Sequence, residues 1–258
     1  MEGTSPKQLA LNERIRAMLD SKSRFTESDK ALLRQYRGSG GSEASTELET
    51  LSEFYTPEIL VKGCWEMAKK HGFKGGKVLE PSCGTGNFFA HAPKEADCIG
   101  FEINGYSAKI AQVLYPKATI YQHPFEQAFM QPPVFRSLLN RKPYTWLEGY
   151  PFDLAIGNPP FGKYGGTQAA YFKKPTIFGK KLKPTQFEIF FMFLSLMQLR
   201  QGGLLVFIIP QSFMRNGHLY NKEKALLGEM AELVDALRFP TVFGTTEVPT
   251  DMIVLRKK

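Results

Sequence analysis

The chain has 258 residues, 43% of them hydrophobic, with a formal net charge of +8 and a pI near 9.3. This composition predicts an ordinary globular protein with a substantial core. No run approaches the roughly 18 apolar residues that cross a bilayer, and no secretory signal is visible, so we expect a cytoplasmic protein without a membrane partner. Three cysteines without disulfide or metal-ligand spacing predict reduced thiols and no metal site. The positive charge fits a polyanionic partner without identifying one.

Two short amphipathic helices are predicted at the N-terminus, ahead of a glycine- and serine-rich break at residues 38–42. The apolar positions of the two patterns are Leu9, Ile15, Met18 and Leu19, followed by Ala31, Leu32, Leu33 and Tyr36. We expect residues 1–45 to form a helical appendage with its linker, and residues 46–258 to form the main domain.

The main domain alternates strand-like and helical segments. A helix is expected to begin with Thr56 as its N-cap and Pro57 as its first helical residue, and to end before Gly72. Strand-like apolar runs lie at 77–80, 97–101, 118–121, 152–156, 203–209, 232–238 and 251–256. This alternation predicts an α/β, Rossmann-like fold, in which a seven-stranded and mostly parallel sheet carries helices on both faces. The short connection between the last two strands predicts an antiparallel edge.

One helix of this domain, expected at 186–200, is apolar almost all round and must therefore be buried against the sheet. Thr185 and Glu188 have the spacing of a capping box at its start. Two long stretches, 131–150 and 162–184, interrupt the alternation. Stretches of that length inside a compact domain are usually functional or disordered.

The first motif with chemical meaning is a strand that enters a Gly-x-Gly turn ahead of an expected helix, from Val78 to Phe88. Gly84 and Gly86 let the backbone turn tightly and approach a ligand, and a helix N-terminus offers free amides. About twenty residues further on, a second strand ends at Glu102, whose carboxylate can hold both hydroxyls of a ribose. Together these features indicate a nucleoside cofactor site, whereas the turn alone is also common as a purely structural element.

The second motif, Gly157-Asn158-Pro159-Pro160-Phe161, directly follows the strand expected at 152–156. In a doubly wound sheet, both motifs would face the crevice where the strand order reverses. The tandem prolines stiffen the backbone, so that the Pro159 carbonyl and the Asn158 amide oxygen are left as two acceptors for an amino group. The exocyclic amine of adenine is such a group, and Phe161 can stack on its base. A rigid turn without function is the alternative.

Residues 162–184 follow this motif and combine lysines with aromatic residues, without any acidic residue. Lysines neutralise phosphates, and aromatic side chains stack on a base or fill the gap left by an extruded one. The stretch predicts a DNA-contacting loop, with a solvated loop as the alternative. Its candidate contact residues are Lys163, Tyr164, Lys173, Lys174, Lys180 and Lys181.

These segments, together with Tyr55-Thr56-Pro57, resemble the ordered motifs of the class I N6-adenine DNA methyltransferases of the Asn-Pro-Pro-Phe type. The resemblance covers residues 55–258 and extends to methylase modules of mobile-element polypeptides. It implies an adenine-specific DNA methyltransferase, of the kind found in restriction-modification, that uses S-adenosylmethionine, releases S-adenosylhomocysteine and needs no metal. DNA is the implied partner, and target recognition is expected in the two loops, in the N-terminal helices, or in a separate domain or polypeptide.

Carried over position by position, the resemblance implies that Tyr55, Thr56 and Pro57 hold the methionine part of the cofactor. Glu102 would bind the ribose, with Ile103 against the adenine ring. The other implied cofactor residues are Glu80, Pro81, Cys83, Gly84, Gly86, Asn87, Phe88 and Phe125. The residues implied to bind and activate a flipped adenine are Asn158, Pro159, Pro160 and Phe161.

One departure from the family pattern lies at His123-Pro124-Phe125-Glu126, where an acidic residue often precedes the Phe and holds the cofactor's adenine amine. Pro124 cannot accept that hydrogen bond, so either Glu126 substitutes or the cofactor is held more weakly. His123 is interpreted as a packed loop residue. Three alternative functions stay open: methylation of an RNA base, methylation of a protein glutamine amide, and a non-catalytic cofactor-binding subunit.

Overall fold

The computed structural model describes residues 5–38, 55–125, 152–162, 186–215, 220–239 and 249–258. Within these ranges, one sheet is built from β1 (Gly76–Glu80), β2 (Ala96–Phe101), β3 (Thr119–Tyr121), β4 (Phe152–Gly157), β5 (Leu199–Pro210), β6 (Ala231–Arg238) and β7 (Thr250–Lys257). The strand order is β3-β2-β1-β4-β5-β7-β6. The first five strands run parallel, and β7 pairs antiparallel with both β5 and β6. The predicted Rossmann-like fold with its antiparallel edge is confirmed.

Helices cover both faces of this sheet. They are α1 (Pro6–Ser21), α2 (Glu27–Leu33), α3 (Glu58–Lys70), α4 (Gly105–Leu114), α5 (Phe187–Gln198), α6 (Gln211–Met214) and α7 (Asn221–Met230). Core residues of α5 share one apolar cluster with Leu205 and Phe207, whereas those of α3 share another with Leu204 and Val206. Because both faces are buried, β5 is a continuous apolar run rather than an alternating one. None of the helices in the described ranges is long and apolar enough to span a membrane.

Two expected helix starts are wrong. Pro57 is the N-cap of α3 and not its first helical residue, because its ψ of 141° is extended while its carbonyl accepts from the amides of Leu60 and Val61. The capping box of α5 is also wrong, since its N-cap is Gln186 without a side-chain cap. The Glu188 carboxylate instead accepts a hydrogen bond from the Gly162 amide at 3.2 Å. Thr185 lies outside the described residues.

The helix expected after the Gly-x-Gly turn is a single 3₁₀ turn, Phe89–His91. Pro93 explains its short length, because the residue before a proline is disfavoured in the helical region. Ala92 accordingly has an extended backbone, with φ −61° and ψ 135°. The turn therefore presents irregular backbone rather than the N-terminus of a long helix.

Both N-terminal helices are present, and they pack against α4. Ile15, Leu19, Leu33 and Tyr36 form a buried cluster with Ile110 of α4. A ring contact adds to this packing, since the Arg16 guanidinium lies 5.3 Å from the ring centroid of Tyr106. The boundary expected at residue 45 lies outside the described residues and stays a prediction.

Leu19→Ala is expected to loosen α1 from α4, because Leu19 is fully buried in this cluster. Removing a buried leucine side chain costs about 2–5 kcal/mol. Hydrogen exchange of the α1 amides measures the effect, with Lys7→Ala, an exposed position on the same helix, as the control. Equal exchange rates in both variants would contradict the docking of the appendage.

Candidate functional site

The cleft that gathers the sequence motifs lies at the carboxyl ends of β1 and β4. These strands are paired in parallel through Val78↔Leu154 and Leu79↔Ala155. Because β2 lies on the other side of β1, the strand order reverses at this point, and ligands of open α/β sheets bind at such reversals. The cleft holds about 1100 Å³ of empty space, solvent at its mouth included.

Most of the residues expected at a cofactor or target site line this one cleft. They are Tyr55, Thr56, Glu80, Pro81, Cys83, Gly84, Asn87, Phe88, Glu102, Ile103, Phe125, Asn158, Pro159, Pro160 and Phe161. Pro57 and Gly86 do not line it. Pro57 instead caps α3, and a Cβ on Gly86 would meet the Tyr115 ring at 2.6 Å. Gly86 is therefore needed for close packing behind the turn and for its φ of 86°.

The Glu102 carboxylate organises the Gly-x-Gly turn that follows β1 and contains Gly84 and Gly86, called the cofactor turn below because of its expected ligand. One of its oxygens accepts from the Gly84 amide and the other from the Asn104 amide, each at 2.7 Å. Gly84 has a φ of 52°, and a Cβ there would meet no described atom within 4 Å. The carboxylate therefore has a fixed direction at the cleft, and the backbone of the turn is open to a ligand.

Glu80 is a buried carboxyl group in the same cleft, only 1% exposed. Its Oε2 has no hydrogen-bond partner among the described residues. Burial, together with the negative charge of Glu102, raises the pKa of Glu80 well above its usual range. Burial of this kind favours the protonated form of a carboxyl group, and a positive charge that enters the cleft would favour the ionised form.

Asn158 is held at two points. Its side-chain Nδ2 donates to Thr56 Oγ1 at 3.2 Å, and its main-chain oxygen accepts from Ser82 Oγ at 3.4 Å. Its side-chain Oδ1 is buried and has no hydrogen-bond partner within the described ranges. Leaving a buried acceptor unpaired costs about 1–3 kcal/mol. Such an atom in a cleft indicates a place for a donor on a ligand.

An aromatic wall that the sequence interpretation missed closes one side of the cleft. Phe187 and Phe191 line it from α5, and the Phe125 ring lies 5.5 Å from Phe191 and 5.4 Å from Phe101. The spacing of Phe187 and Phe191 places them on one helix face, and that spacing was the available signal. The other lining residues that were not assigned to a site are Ser82, Thr85, Phe101, Asn104, His123 and Pro124.

Several expected site residues lie outside the described part of the chain. Glu126 is one of them, and the candidate DNA contacts are the others: Lys163, Tyr164, Lys173, Lys174, Lys180 and Lys181. The residues on both sides of this stretch are described, and they are hydrogen-bonded to each other: the Phe187 amide donates to the Gly162 carbonyl at 2.9 Å. Within the described residues, no group of three or more His, Cys, Asp or Glu side chains is placed to hold a metal ion.

The sequence profile of the family described as N-6 DNA Methylase matches residues 36–258. The chain belongs to this family. The match begins earlier than residue 55, where the resemblance of the motifs begins. It therefore includes the end of the N-terminal appendage as well as the whole sheet.

Viral proteins are among the relatives of this chain. Defense against restriction protein B of Escherichia phage P1 is 30% identical over 237 residues, which make up 90% of this chain and 9% of that protein. Type II methyltransferase M.CvrRI of Paramecium bursaria Chlorella virus XZ-6E is 27% identical over 217 residues, 80% of this chain and 48% of that protein. The chain thus spans less than half the length of these two relatives.

Among solved structures, the methyltransferase subunit of a type I restriction-modification system from Streptococcus thermophilus superposes with a TM-score of 0.61 at 20% identity. The match covers 90% of this chain and 49% of that subunit. At this identity the likeness establishes the shared fold. It agrees with the strand order and the mostly parallel sheet described above.

Glu80→Gln is expected to reduce the pH dependence of the stability of the protein. Between the ordinary pKa of a glutamate and the raised pKa of Glu80, the folded protein binds a proton that the unfolded chain has released. The free energy of unfolding therefore falls as the pH rises through this window. Glutamine removes the proton uptake, so the variant should lose less stability than the wild type as the pH rises above the ordinary pKa of a glutamate.

Urea denaturation at a series of pH values measures this difference. Glu66→Gln, at an exposed position of α3, is the matched control and should retain the wild-type slope. A Glu80→Gln variant with the wild-type slope would contradict a protonated buried carboxyl group.

Proposed function

We propose that this chain is the catalytic module of a DNA methyltransferase that transfers a methyl group from S-adenosylmethionine to the N6 amine of an adenine flipped out of the duplex. The observation that carries this proposal is the buried Oδ1 of Asn158, which has no hydrogen-bond partner in the described part of the chain and lies in the same cleft as the fixed carboxylate of Glu102. A hydrogen-bond acceptor for an amine and a binding site for a nucleoside thus share one cavity.

The cleft fits S-adenosylmethionine in charge and shape. Glu102, whose carboxylate accepts from the amides of Gly84 and Asn104, is the proposed acceptor for the ribose hydroxyls. Ile103 and Phe125 offer apolar surface to an adenine ring, and the buried carboxyl group of Glu80 suits a cationic ligand. The cofactor, when bound, supplies a methyl group on a positively charged sulfur and leaves as S-adenosylhomocysteine. Tyr55 remains the expected contact for its methionine part, and Thr56 lines the same cleft, whereas Pro57 does not line it.

Asn158 and Pro159 act on the target amine. The lone pair of this amine is delocalised into the adenine ring, so the nitrogen is a poor nucleophile until it becomes pyramidal. Oδ1 of Asn158 and the carbonyl of Pro159 can each accept one amine hydrogen, which favours the pyramidal form. They also stabilise the positive charge that develops on nitrogen, with about 1.5–3 kcal/mol for each hydrogen bond to a charged group. Phe161 stacks on the base for roughly 1–3 kcal/mol.

DNA is the proposed substrate because the chain belongs to the N-6 DNA Methylase family and one relative is named a type II methyltransferase. The target amine is inaccessible inside a duplex, so the adenine must be extruded at a cost of a few kcal/mol. The lysine- and aromatic-rich loop after Phe161 is the proposed source of those contacts. Target recognition is proposed to lie there, in the N-terminal helices, or in a further domain or polypeptide, since the relatives are longer than this chain.

Methylation of unmethylated genomic DNA tests the proposal directly. The purified chain is incubated with radiolabelled S-adenosylmethionine, and the nucleosides are separated by mass spectrometry, where label in N6-methyladenine is expected. Asn158→Ala should bind the cofactor normally but lose about 100-fold or more in turnover, by analogy with removing one transition-state hydrogen bond. If DNA stays unlabelled while RNA or protein supplied in its place becomes labelled, the proposed substrate is replaced. An Asn158→Ala variant with unchanged turnover would contradict the mechanism.

Glu102→Ala is expected to weaken S-adenosylmethionine binding. The substitution removes the ribose acceptor and frees the amides of Gly84 and Asn104 that shape the turn. Loss of one hydrogen bond to a charged group, about 1.5–3 kcal/mol, corresponds to roughly 10- to 100-fold in Kd. Calorimetry measures the affinity, and Glu232→Ala, on the exposed part of β6, is the control. Wild-type affinity in Glu102→Ala would overturn this assignment.

A further inference from the structure

The side-chain amide of Asn158 can serve its proposed purpose in only one orientation. Its oxygen accepts hydrogen bonds, whereas its nitrogen only donates them. If the amide were rotated by half a turn, an NH₂ group would face the adenine amine, and two donors would oppose each other. Since both orientations have nearly the same shape, packing alone does not select between them. A hydrogen-bond acceptor in the protein must therefore hold the side-chain nitrogen of Asn158.

Thr56 is the residue that holds it. Its Oγ1 accepts from Asn158 Nδ2 at 3.2 Å, and Oδ1 is thereby turned away from Thr56. Thr56 is only 7% exposed, so water competes little for this bond. The bond from Ser82 reaches only the main-chain oxygen of Asn158 and leaves the orientation of the amide undetermined.

Thr56 is itself fixed from two sides. Its carbonyl accepts a hydrogen bond from Asn87 Nδ2 at 3.4 Å, which ties it to the cofactor turn. The following residue, Pro57, restricts the backbone of Thr56 to extended conformations and caps α3. The α3 helix is anchored in turn, because the Trp65 indole donates to the Phe88 carbonyl at 2.9 Å. Thr56 therefore links the cofactor turn to the Asn-Pro-Pro-Phe motif, which begins 102 residues later in the chain.

We propose that Thr56 is a positioning residue, whose hydroxyl oxygen holds the Asn158 amide so that Oδ1 faces the adenine amine. This inference rests on the proposed function of Asn158. It assigns the Thr56 side chain to the target amine, whereas the family resemblance places the segment Tyr55-Thr56-Pro57 at the methionine part of the cofactor. The two assignments predict different kinetics. A residue that orients Asn158 affects kcat, whereas a residue that holds the cofactor affects its Kd.

Thr56→Val is the decisive variant, because valine keeps the shape of threonine but has no hydroxyl to accept from Asn158. Misplacement of a catalytic group by about 1 Å can cost up to roughly 100-fold, so we expect kcat to fall by about 10- to 100-fold. The Kd for S-adenosylmethionine, measured by calorimetry, should stay within about threefold of the wild type, a change of less than 1 kcal/mol. Thr56→Ser, which retains the hydroxyl, should restore most of the turnover.

Thr250→Val is the matched control. Thr250 is 1% exposed, lies on β7 outside the cleft, and has a hydroxyl without a partner among the described residues. Its substitution removes a buried hydroxyl from the sheet, away from the cleft, and should leave kcat unchanged. Thermal unfolding of all three variants shows whether the folded state is retained.

Weaker cofactor binding at unchanged kcat in Thr56→Val would overturn the inference in favour of a cofactor role, and unchanged values of both kcat and Kd would overturn it altogether.

A second experiment, by NMR, tests the hydrogen bond even if the wild type methylates no DNA. The side-chain amide signals of Asn158 are assigned by ¹⁵N–¹H NMR from their loss in Asn158→Asp. They should shift in Thr56→Val and stay near the wild-type position in Thr56→Ser. An unshifted Asn158 side-chain signal in Thr56→Val would refute the hydrogen bond from Asn158 Nδ2 to Thr56 Oγ1.

Discussion

Parallel pairing of β1 with β4 places Glu80 and Asn158 at one edge of the sheet, although β1 and β4 are far apart in the chain. Each of these two strands ends in an irregular turn rich in glycine or proline, and the backbone after each strand faces the same crevice. Every feature of the candidate site depends on this pairing, because the cofactor turn and the Asn-Pro-Pro-Phe motif come from different crossover units. A shift of the register by one residue would turn the side chains of one strand to the opposite face.

The carboxyl groups of the cleft differ in kind from those of the surface. On the surface, Asp235 accepts hydrogen bonds from Lys70 and His71, which lower its pKa to about 2 and join β6 to the end of α3. Within the cleft, Glu80 lacks a cationic partner among the described residues, and Glu102 is held by backbone amides. A site that receives a cationic nucleoside benefits from this arrangement, since the ligand supplies the missing positive charge.

The fold and most of the cleft could be predicted because their signals are local. Runs of apolar residues gave all seven strands, and Gly84, Glu102 and Asn158 stand directly after strand ends, where parallel strands place their ligands. Helix ends were predicted less well. Pro57 has the chemistry of a first helical residue, but its extended ψ makes it the N-cap of α3. Glu188 has the chemistry of a capping box, but a tertiary hydrogen bond gives its carboxylate another role. The Glu188 carboxylate bonds to the Gly162 amide, which lies 26 residues earlier in the chain.

The sequence by itself determined the order of the elements, the parallel sheet and the residue types at the cofactor turn and the Asn-Pro-Pro-Phe motif. The tertiary structure alone decided which side chains meet: the Thr56 hydroxyl with the Asn158 amide, Phe191 with Phe125, and the N-terminal helices with α4. The reason is physical. Apolar periodicity and turn residues act over a few neighbouring positions, whereas a hydrogen bond between residues 102 positions apart depends on how the strands and helices between them pack.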